Sequence, residues 1–288
     1  MIDREQNFSG PSPILVLIAT PIGNLSEFSQ RAQEELSKCD FVAAEDTRNS
    51  GKLLNHFGIE KPFISCHEHN EEEASAKIIG LLKEGKKVCY MSDAGYPLIS
   101  DPGARLVARC LDNGIKVTVT SGPSAAINAL VCSGLPSDHF YFEGFLPPKE
   151  SERNKELQEL MTRKETLIFY ESPHRITKTL IAMAAVFGPR KAVIGRELTK
   201  VHEEFIRGSL VDLALESEES LKGEMVIIVE GCPQASNEVD DNMIALALRD
   251  ELEYERSGKE AVKVVAKNLG VNKNRVYSIY IKTFKSED

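Results

Sequence analysis

Residues able to bind or transform a ligand concentrate in Met91–Gly103, MSDAGYPLISDPG, which holds two Gly, two Pro, two Asp and two Ser. Ser92, Asp93, Ser100 and Asp101 offer hydroxyl and carboxylate oxygens. Gly95 and Gly103 let the backbone approach a ligand closely, and Pro97 and Pro102 stiffen its path. Such a segment is neither a helix nor a buried strand. The apolar run Val88-Cys89-Tyr90-Met91 before it reads as a strand, and a helical pattern begins at Ala104. The segment is therefore a structured loop at the carboxyl end of a strand, where open α/β sheets bind ligands. A plain βα connection needs only about 2–6 residues, so the length itself points to binding.

Several chemistries are excluded by missing patterns. The chain has no GxxxxGK[ST], no GxSxG and no HExxH, so the phosphate cradle, the nucleophile elbow and the zinc-protease helix are all absent. Its first loop, Thr20-Pro21-Ile22-Gly23-Asn24, carries a single Gly. The dinucleotide fingerprint fails there, although Glu45 stands about where a ribose-binding acid would. What remains is a set of loops at strand ends: 19–24, 45–48, 91–103, 121–125, 145–147 and 170–175. In a two-domain α/β protein such loops can meet in one cleft, the usual place for a cofactor.

The elements that must position these loops alternate. Ile14–Ala19 and Phe41–Ala44 are continuous apolar strands of the kind covered on both faces. A helix is expected over 29–37, a short one over 51–57 ended by Gly58, and a short strand over 63–66. Asn70 is placed to cap a helix that begins Glu71-Glu72-Glu73 and closes at Gly85. A helix carrying Leu106, Val107, Cys110 and Leu111 ends at Asn113-Gly114, and Ile115–Thr120 is a further strand. The pattern is that of a parallel, doubly wound sheet. After Gly134-Leu135-Pro136 the links shorten. Strands are expected over 140–143, 166–170, 192–197, 204–209 and 224–230, and helices over 151–163 and 176–187. This gives a second α/β domain with some antiparallel pairing. The resulting division is a loose arm over 1–12, a first domain over 13–121, a second over 122–232, and a helical tail over 238–288.

The net charge of −9 argues against a protein that coats nucleic acid by bulk charge. The tail is the exception. Residues 258–285 hold seven Lys or Arg (Lys259, Lys263, Lys267, Lys273, Arg275, Lys282, Lys285) and one acid, Glu260, a net of +6. Expected helices over 242–256, 260–269 and 273–284, broken at Gly258 and Gly270, place Ala266, Gly270 and Val276 at helix-turn-helix spacing. A basic helical tail on an acidic body is the footprint of a local nucleic-acid contact, and a solvated packing module is its alternative. Six cysteines occur with no CxxC pair, as in a reduced, cytoplasmic protein. His67-Glu68-His69 lacks a third ligand, so no metal is expected. The run Ile14–Ala19 is too short to cross a bilayer, and no membrane association is expected.

Taken together, ATPIGNL (19–25), AAEDTR (43–48), SDAGYPLISDPG (92–103), SGPSA (121–125), FEGFLP (142–147), FYESPHR (169–175), GRELTK (195–200) and GEMVIIVEG (223–231) carry a resemblance. The chain resembles the tetrapyrrole-methylase-like superfamily of S-adenosylmethionine-dependent methyltransferases. Within it, the chain is similar to the bacterial enzymes that methylate the ribose 2′-hydroxyl of a cytidine in the decoding region of 16S ribosomal RNA. The resemblance covers nearly the whole chain, and the 258–280 segment resembles the small helical domain of that group. It implies two α/β domains with the cofactor, S-adenosylmethionine, in the cleft between them, usually a homodimer, and the small ribosomal subunit as partner.

Residue by residue, the resemblance implies that Ser92, Asp93, Ala94, Gly95, Ile99, Ser100 and Asp101 line the methionine and ribose parts of the cofactor. Pro21, Ser124 and Ala125 would close over it. Phe145 and Leu146, with Gly223, Glu224, Met225 and Val226, would hold the adenine. Where tetrapyrrole members have a more Gly-rich GDP-type loop, this chain has SDAGYP. A ribose hydroxyl needs positioning and a base. Glu45, Asp46, Glu171 and His174 stand at strand ends facing one edge, with Glu45 and His174 the first choices for catalysis. Arg48, Arg175 and Lys200 are candidate phosphate or ribose contacts, and Lys263, Lys267, Lys273 and Arg275 are candidate RNA contacts in the tail. Two other readings stay open: a methyltransferase of a tetrapyrrole or other small molecule, and a non-enzymatic, ligand-sensing nucleic-acid-binding protein.

Overall fold

Strand residues alternate between two apolar layers, and this alternation builds the first sheet. A computed structural model describes residues 13–217, 221–233, 240–253 and 257–285. The arm expected over 1–12 and the start of the linker at Gln234 lie outside the described residues. Strands β1 (Ile14–Ile18), β2 (Phe41–Ala44), β3 (Phe63–Ser65), β4 (Val88–Met91) and β5 (Lys116–Thr120) form a fully parallel sheet in the order β3-β2-β4-β1-β5. Helices α1 (Gln30–Lys38), α2 (Thr47–His56), α3 (Glu71–Lys83) and α4 (Ala104–Asp112) supply the crossovers. Leu15 and Leu17 face one buried layer, with Ile78, Leu82 and Leu106 of α3 and α4. Val16 and Ile18 face the other, with Leu36 and Leu54 of α1 and α2. Covering both faces is why these strands are apolar throughout.

The second sheet is mixed. After α5 (Ala125–Ser133) come β6 (Phe140–Phe145), α6 (Glu150–Leu160), β7 (Thr166–Glu171), α7 (Ile176–Phe187), β8 (Lys191–Arg196), β9 (Glu204–Ser209), α8 (Leu210–Glu216) and β10 (Met225–Val229). The order is β6-β7-β10-β8-β9, parallel only between β6 and β7. The short β8–β9 link forces the antiparallel hairpin. Leu167, Phe169, Ile194 and Ile227 face α6, α7 and α8. Ile168, Val193, Val226 and Ile228 face Ala126, Ala129 and Leu130 of α5.

Contacts divide the chain into a unit ending at Cys232, which holds both sheets, and a unit beginning at Pro233. In the second unit α9 (Asp241–Glu253), α10 (Gly258–Leu269) and α11 (Lys273–Phe284) share a core of Ile244, Leu248, Ala261, Val262, Val265, Val276 and Ile279. Gly270 takes the left-handed conformation (φ 65°) that ends α10.

Four local expectations are corrected. Helix α2 begins at Thr47 rather than Gly51, because the Asp46 carboxylate accepts the Arg48 N–H at 2.9 Å and caps it. Asn70 makes no cap bond; its side chain accepts from His67 N–H and donates to the Ser65 carbonyl, shaping the preceding loop instead. Helices α5 and α8 were not among the expected elements. Gly258 opens α10 rather than breaking a helix: Ser257 and Glu260 form a capping box before it, and Tyr280 occupies the space a Gly258 side chain would need.

Candidate active site

The loops that follow β1, β4 and β5 are knitted to one another by hydrogen bonds from backbone N–H groups. Thr20 and Gly95 exchange both N–H···O bonds, at 2.9 and 3.1 Å. Ala19 N–H donates to Thr120 Oγ1 at 3.2 Å, and Gly122 N–H donates to the Tyr96 hydroxyl at 3.2 Å. Gly122 must be glycine, since a Cβ there would meet the Ala19 Cβ at 2.7 Å. The far end of the 91–103 loop is held from below. Tyr90 donates its hydroxyl to the Pro102 carbonyl at 2.8 Å, and a Cβ on Gly103 (φ 122°) would strike the Tyr90 ring at 2.7 Å. The buried Glu71 carboxylate caps the α4 end of the loop. Between these anchors Leu98 (φ 73°) and Ser100 (φ 62°) are held in the left-handed region without being glycine, a strain that tends to collect at functional sites.

A cavity of about 400 Å³ opens above this loop, within the size range of small-molecule sites. Ala94, Gly95, Ile99, Ser100 and Asp101 form one wall, and Ser124 and Ala125, at the start of α5, another. Phe145, Glu224, Met225 and Val226 face them from the second sheet. Pro21, Ser92, Asp93, Leu146 and Gly223 are not in the lining. Ser92 and Leu146 are buried, and Asp93 accepts from the Asn49 amide at 3.0 Å. Gly223 (φ 90°) leaves room for the Glu197 side chain.

Ile22, Tyr96, Tyr170, Glu171, Ser172, Pro173 and Leu198 complete the lining. Each falls inside or beside a quoted motif, but nothing in the sequence says which side of a strand end faces the cavity. The Tyr170 ring packs edge-on against Phe142 and Phe145, at 5.0 and 5.6 Å, and burial pushes its phenol pKa up. Among the described residues the lining includes Asp101, Glu171 and Glu224 but neither Lys nor Arg.

Glu45 stands outside the lining, at the end of β2. Its proton affinity is raised by burial first and then by the charges of Asp101 and Asp93. Burial also raises Asp101, with Asp93 adding to it and Ser92 working against it. Asp46 goes the other way, down to about 2, through its hydrogen bonds with Arg48. His174 lies exposed in the turn between β7 and α7, next to the lining residue Pro173.

The candidate cations are engaged by protein groups. Arg48 makes a two-point contact with Asp46 (Nε–Oδ1 3.2 Å, Nη2–Oδ2 3.0 Å) on the exposed start of α2. Arg175 donates through Nη2 to the carbonyls of Leu146 (2.6 Å) and Pro147 (3.5 Å), and its Nε lies 3.4 Å from buried Glu171. Glu171 also accepts from Thr179 Oγ1 at 2.6 Å and from Ser172 N–H at 2.8 Å. Arg175 thus ties the 145–147 loop to the start of α7.

Lys200 bridges Glu197 and Glu224, both at 2.9 Å, and its proximity holds the Glu197 carboxyl below the usual range. A Cβ on Gly23 would meet Lys200 Cγ at 2.5 Å, so Lys200 spans from the first loop of one sheet to the hairpin of the other. In the helical unit Lys263, Lys267 and Lys273 are exposed. Arg275 is paired with Asp241 of α9 at 2.8 Å. Among the described residues no group of three His, Cys, Asp or Glu side chains is placed to hold a metal, and no helix is long and apolar enough to cross a membrane.

A family model described as Tetrapyrrole (Corrin/Porphyrin) Methylases matches residues 15–214. The Haemophilus influenzae ribosomal RNA small subunit methyltransferase I is 46% identical over 268 residues, 92% of this chain and 95% of that protein. Its Bacillus subtilis namesake is 43% identical over 290 residues, covering 97% and 99%. Among solved structures, Thermus thermophilus uroporphyrin-III-C-methyltransferase aligns with a TM-score of 0.53 at 18% identity, over 75% of this chain and 94% of that one. Cobalt precorrin-4 methyltransferase aligns with a TM-score of 0.54 at 18% identity, with the same coverage. Matched along most of its length to relatives of one name, and sharing the methylase fold, the chain belongs to the tetrapyrrole (corrin/porphyrin) methylase family, in the group of the ribosomal RNA small subunit methyltransferases I.

Proposed function

We propose that the chain transfers the methyl group of S-adenosylmethionine to a ribose 2′-hydroxyl of a cytidine in the decoding region of 16S ribosomal RNA. It would act on the small ribosomal subunit, in the cytoplasm and as a homodimer. Near full-length identity with relatives named ribosomal RNA small subunit methyltransferase I supports the substrate class. One observation of the site carries the cofactor: among the described residues the cavity is lined by three carboxylates and no cationic side chain. Glu171 and Glu224 are offset by Arg175 and Lys200 outside the lining, so its acidic character rests on Asp101. A lining with no cation of its own suits a ligand that carries a sulfonium and an ammonium better than a phosphate. The apolar walls, Ile22, Leu198 and Met225 among them, suit a purine ring.

When bound, the cofactor supplies an intrinsically activated methyl group. The chain's own task is to orient the acceptor hydroxyl and to receive its proton. Orientation is the larger contribution, and the bonds between the β1, β4 and β5 loops make that surface rigid. Glu45 is the base this reading favours, because burial and two neighbouring carboxylates move its pKa toward the working pH. His174, exposed beside Pro173, is the second candidate. Lys200 and Arg175 act by holding the cleft's walls, since both are committed to protein carboxylates and carbonyls.

Labelled methyl transfer to small ribosomal subunits lacking the modification tests the reading. The expected product after digestion is 2′-O-methylcytidine. Label in a base, or no label in RNA with transfer to a corrin or porphyrin precursor, would refute it.

A further inference from the structure

Helix α11 carries an aromatic ladder that leads from the core of the helical unit to its surface. Val276 and Ile279 face the core. Phe284 and Tyr280 pack against it, their rings stacked at 6.1 Å and 26°. Tyr280 is seated on Gly258, where any side chain would collide with it. The next ring, Tyr277, lies 6.4 Å from Tyr280 at 36° and is 48% exposed. Lys273, Tyr277 and Ile281 recur at i, i+4 and i+8, so they share one stripe of the helix; all three are exposed. On the neighbouring helix Lys259, Lys263 and Lys267 repeat the same spacing, also exposed, about 6 Å apart along the axis.

We propose that the exposed stripe of α11 binds single-stranded RNA, with the Tyr277 ring stacking on an unpaired base beside Lys273 while the α10 lysines take phosphates. The proposal rests on the reading that the chain's substrate is RNA, and it names the feature of that RNA which is read. Charge complementarity selects the partner: the segment 258–285 carries a net +6 on a chain of net −9. An exposed ring beside a lysine, as Tyr277 is beside Lys273 one turn away, is an arrangement that holds unstacked bases. A ring backed by Tyr280 and Phe284 loses little freedom when a base stacks on it. Arg275 is not part of this face, since its guanidinium is occupied by Asp241.

Full-length wild type and variants are titrated with a fluorescein-labelled single-stranded oligoribonucleotide and with its blunt duplex, across a series of salt concentrations. Tyr277→Ala is expected to weaken single-strand binding by about 5- to 100-fold, to leave duplex binding and the salt slope unchanged, and to keep the wild-type Tm. Tyr277→Trp restores the affinity. Lys263→Gln is expected to lower the salt slope by about 0.7. No wild-type binding to the single strand, an unaltered affinity in Tyr277→Ala, or equal losses on strand and duplex each overturn the proposal. So does loss of binding to assembled subunits with unchanged affinity for the oligoribonucleotide, which would make the partner a protein. Methyl transfer by wild type to small subunits reports on the substrate reading independently.

Discussion

Glu71 caps helix α4, whose N-cap position is Gly103, a residue without a side chain to do so. The Glu71 Oε1 accepts the N–H of Gly103 at 3.2 Å and those of Arg105 and Leu106 at 3.0 and 3.3 Å. A buried carboxylate from the first turn of α3 therefore fixes where the 91–103 loop ends and α4 starts. Glu71→Ala leaves these donors unmet and should cost about 2–3 kcal/mol. In a unit of this size that lowers Tm by roughly 4–12 °C. Calorimetry checks the first figure. A weakened affinity for S-adenosylmethionine, read by titration calorimetry below the new Tm, checks the link to the cavity.

Arg175 was a candidate for phosphate, and the geometry makes it a brace. Arg175→Ala removes the bonds to the Leu146 and Pro147 carbonyls and leaves Glu171, 1% exposed, without its counter-charge. The expected loss is about 2–3 kcal/mol in urea unfolding. RNA affinity should keep its dependence on salt, because no phosphate contact is removed. A shallower salt slope would return Arg175 to the substrate.

Glu45 and Asp101 make stability and activity pull in opposite directions as pH changes. Both carboxyls have folded-state pKa values raised above the ordinary ones, so the folded chain holds their protons more tightly than the unfolded chain. Their contribution to stability is present below the ordinary carboxylate pKa and is lost as pH rises through the raised values. Asp101→Asn should therefore raise Tm near pH 7 and lose that advantage at acidic pH. A base must be deprotonated to act, so kcat should rise over the same interval. Glu45→Gln should lower kcat by about 10²–10⁴ with little change in cofactor affinity. Full activity in that variant would move the role to His174.

Gly23 and Lys200 should be energetically coupled. A Cβ on Gly23 would press on Lys200 Cγ at 2.5 Å, and Lys200 is held by Glu197 and Glu224. Gly23→Ala should destabilise the wild type and do so less in a Lys200→Ala background. A coupling of about 0.5–3 kcal/mol from the double-mutant cycle is expected. Strict additivity would mean that the two residues do not share the space.

The parallel sheet was legible because its strands are short apolar runs bounded by Gly, Pro and Asp, and because both faces are covered. Antiparallel pairing in the second sheet followed from link length alone. Helix α5, AAINALVCS, went unread because small residues and a Gly-Pro-Ser lead-in look like a connection; it is stabilised by Ala126, Ala129 and Leu130 packing on the second sheet. The Met91–Gly103 segment was legible from its composition as a structured loop after a strand, and part of it lines the cavity. The Leu146 and Pro147 carbonyls held by Arg175, the Glu224 partner of Lys200 and the Asp241 partner of Arg275 were not, since each lies on an element distant in sequence. Tyr96 and Tyr170 sat inside recognised motifs, and only the fold brings them to one cavity.

Strand β10 is the last strand of its unit in sequence, yet it occupies the middle of the second sheet, between β7 and β8. Chains emerge from the ribosome N-terminus first. The first sheet has all five strands once Thr120 has been made. The second waits as two unjoined halves, the β6–β7 pair and the β8–β9 hairpin, until Met225–Val229 arrives to zip them. Met225 and Val226 also line the cavity, so the closing strand of the fold is at the same time a wall of the pocket. A nascent chain completes the pocket only in the step that completes its second sheet.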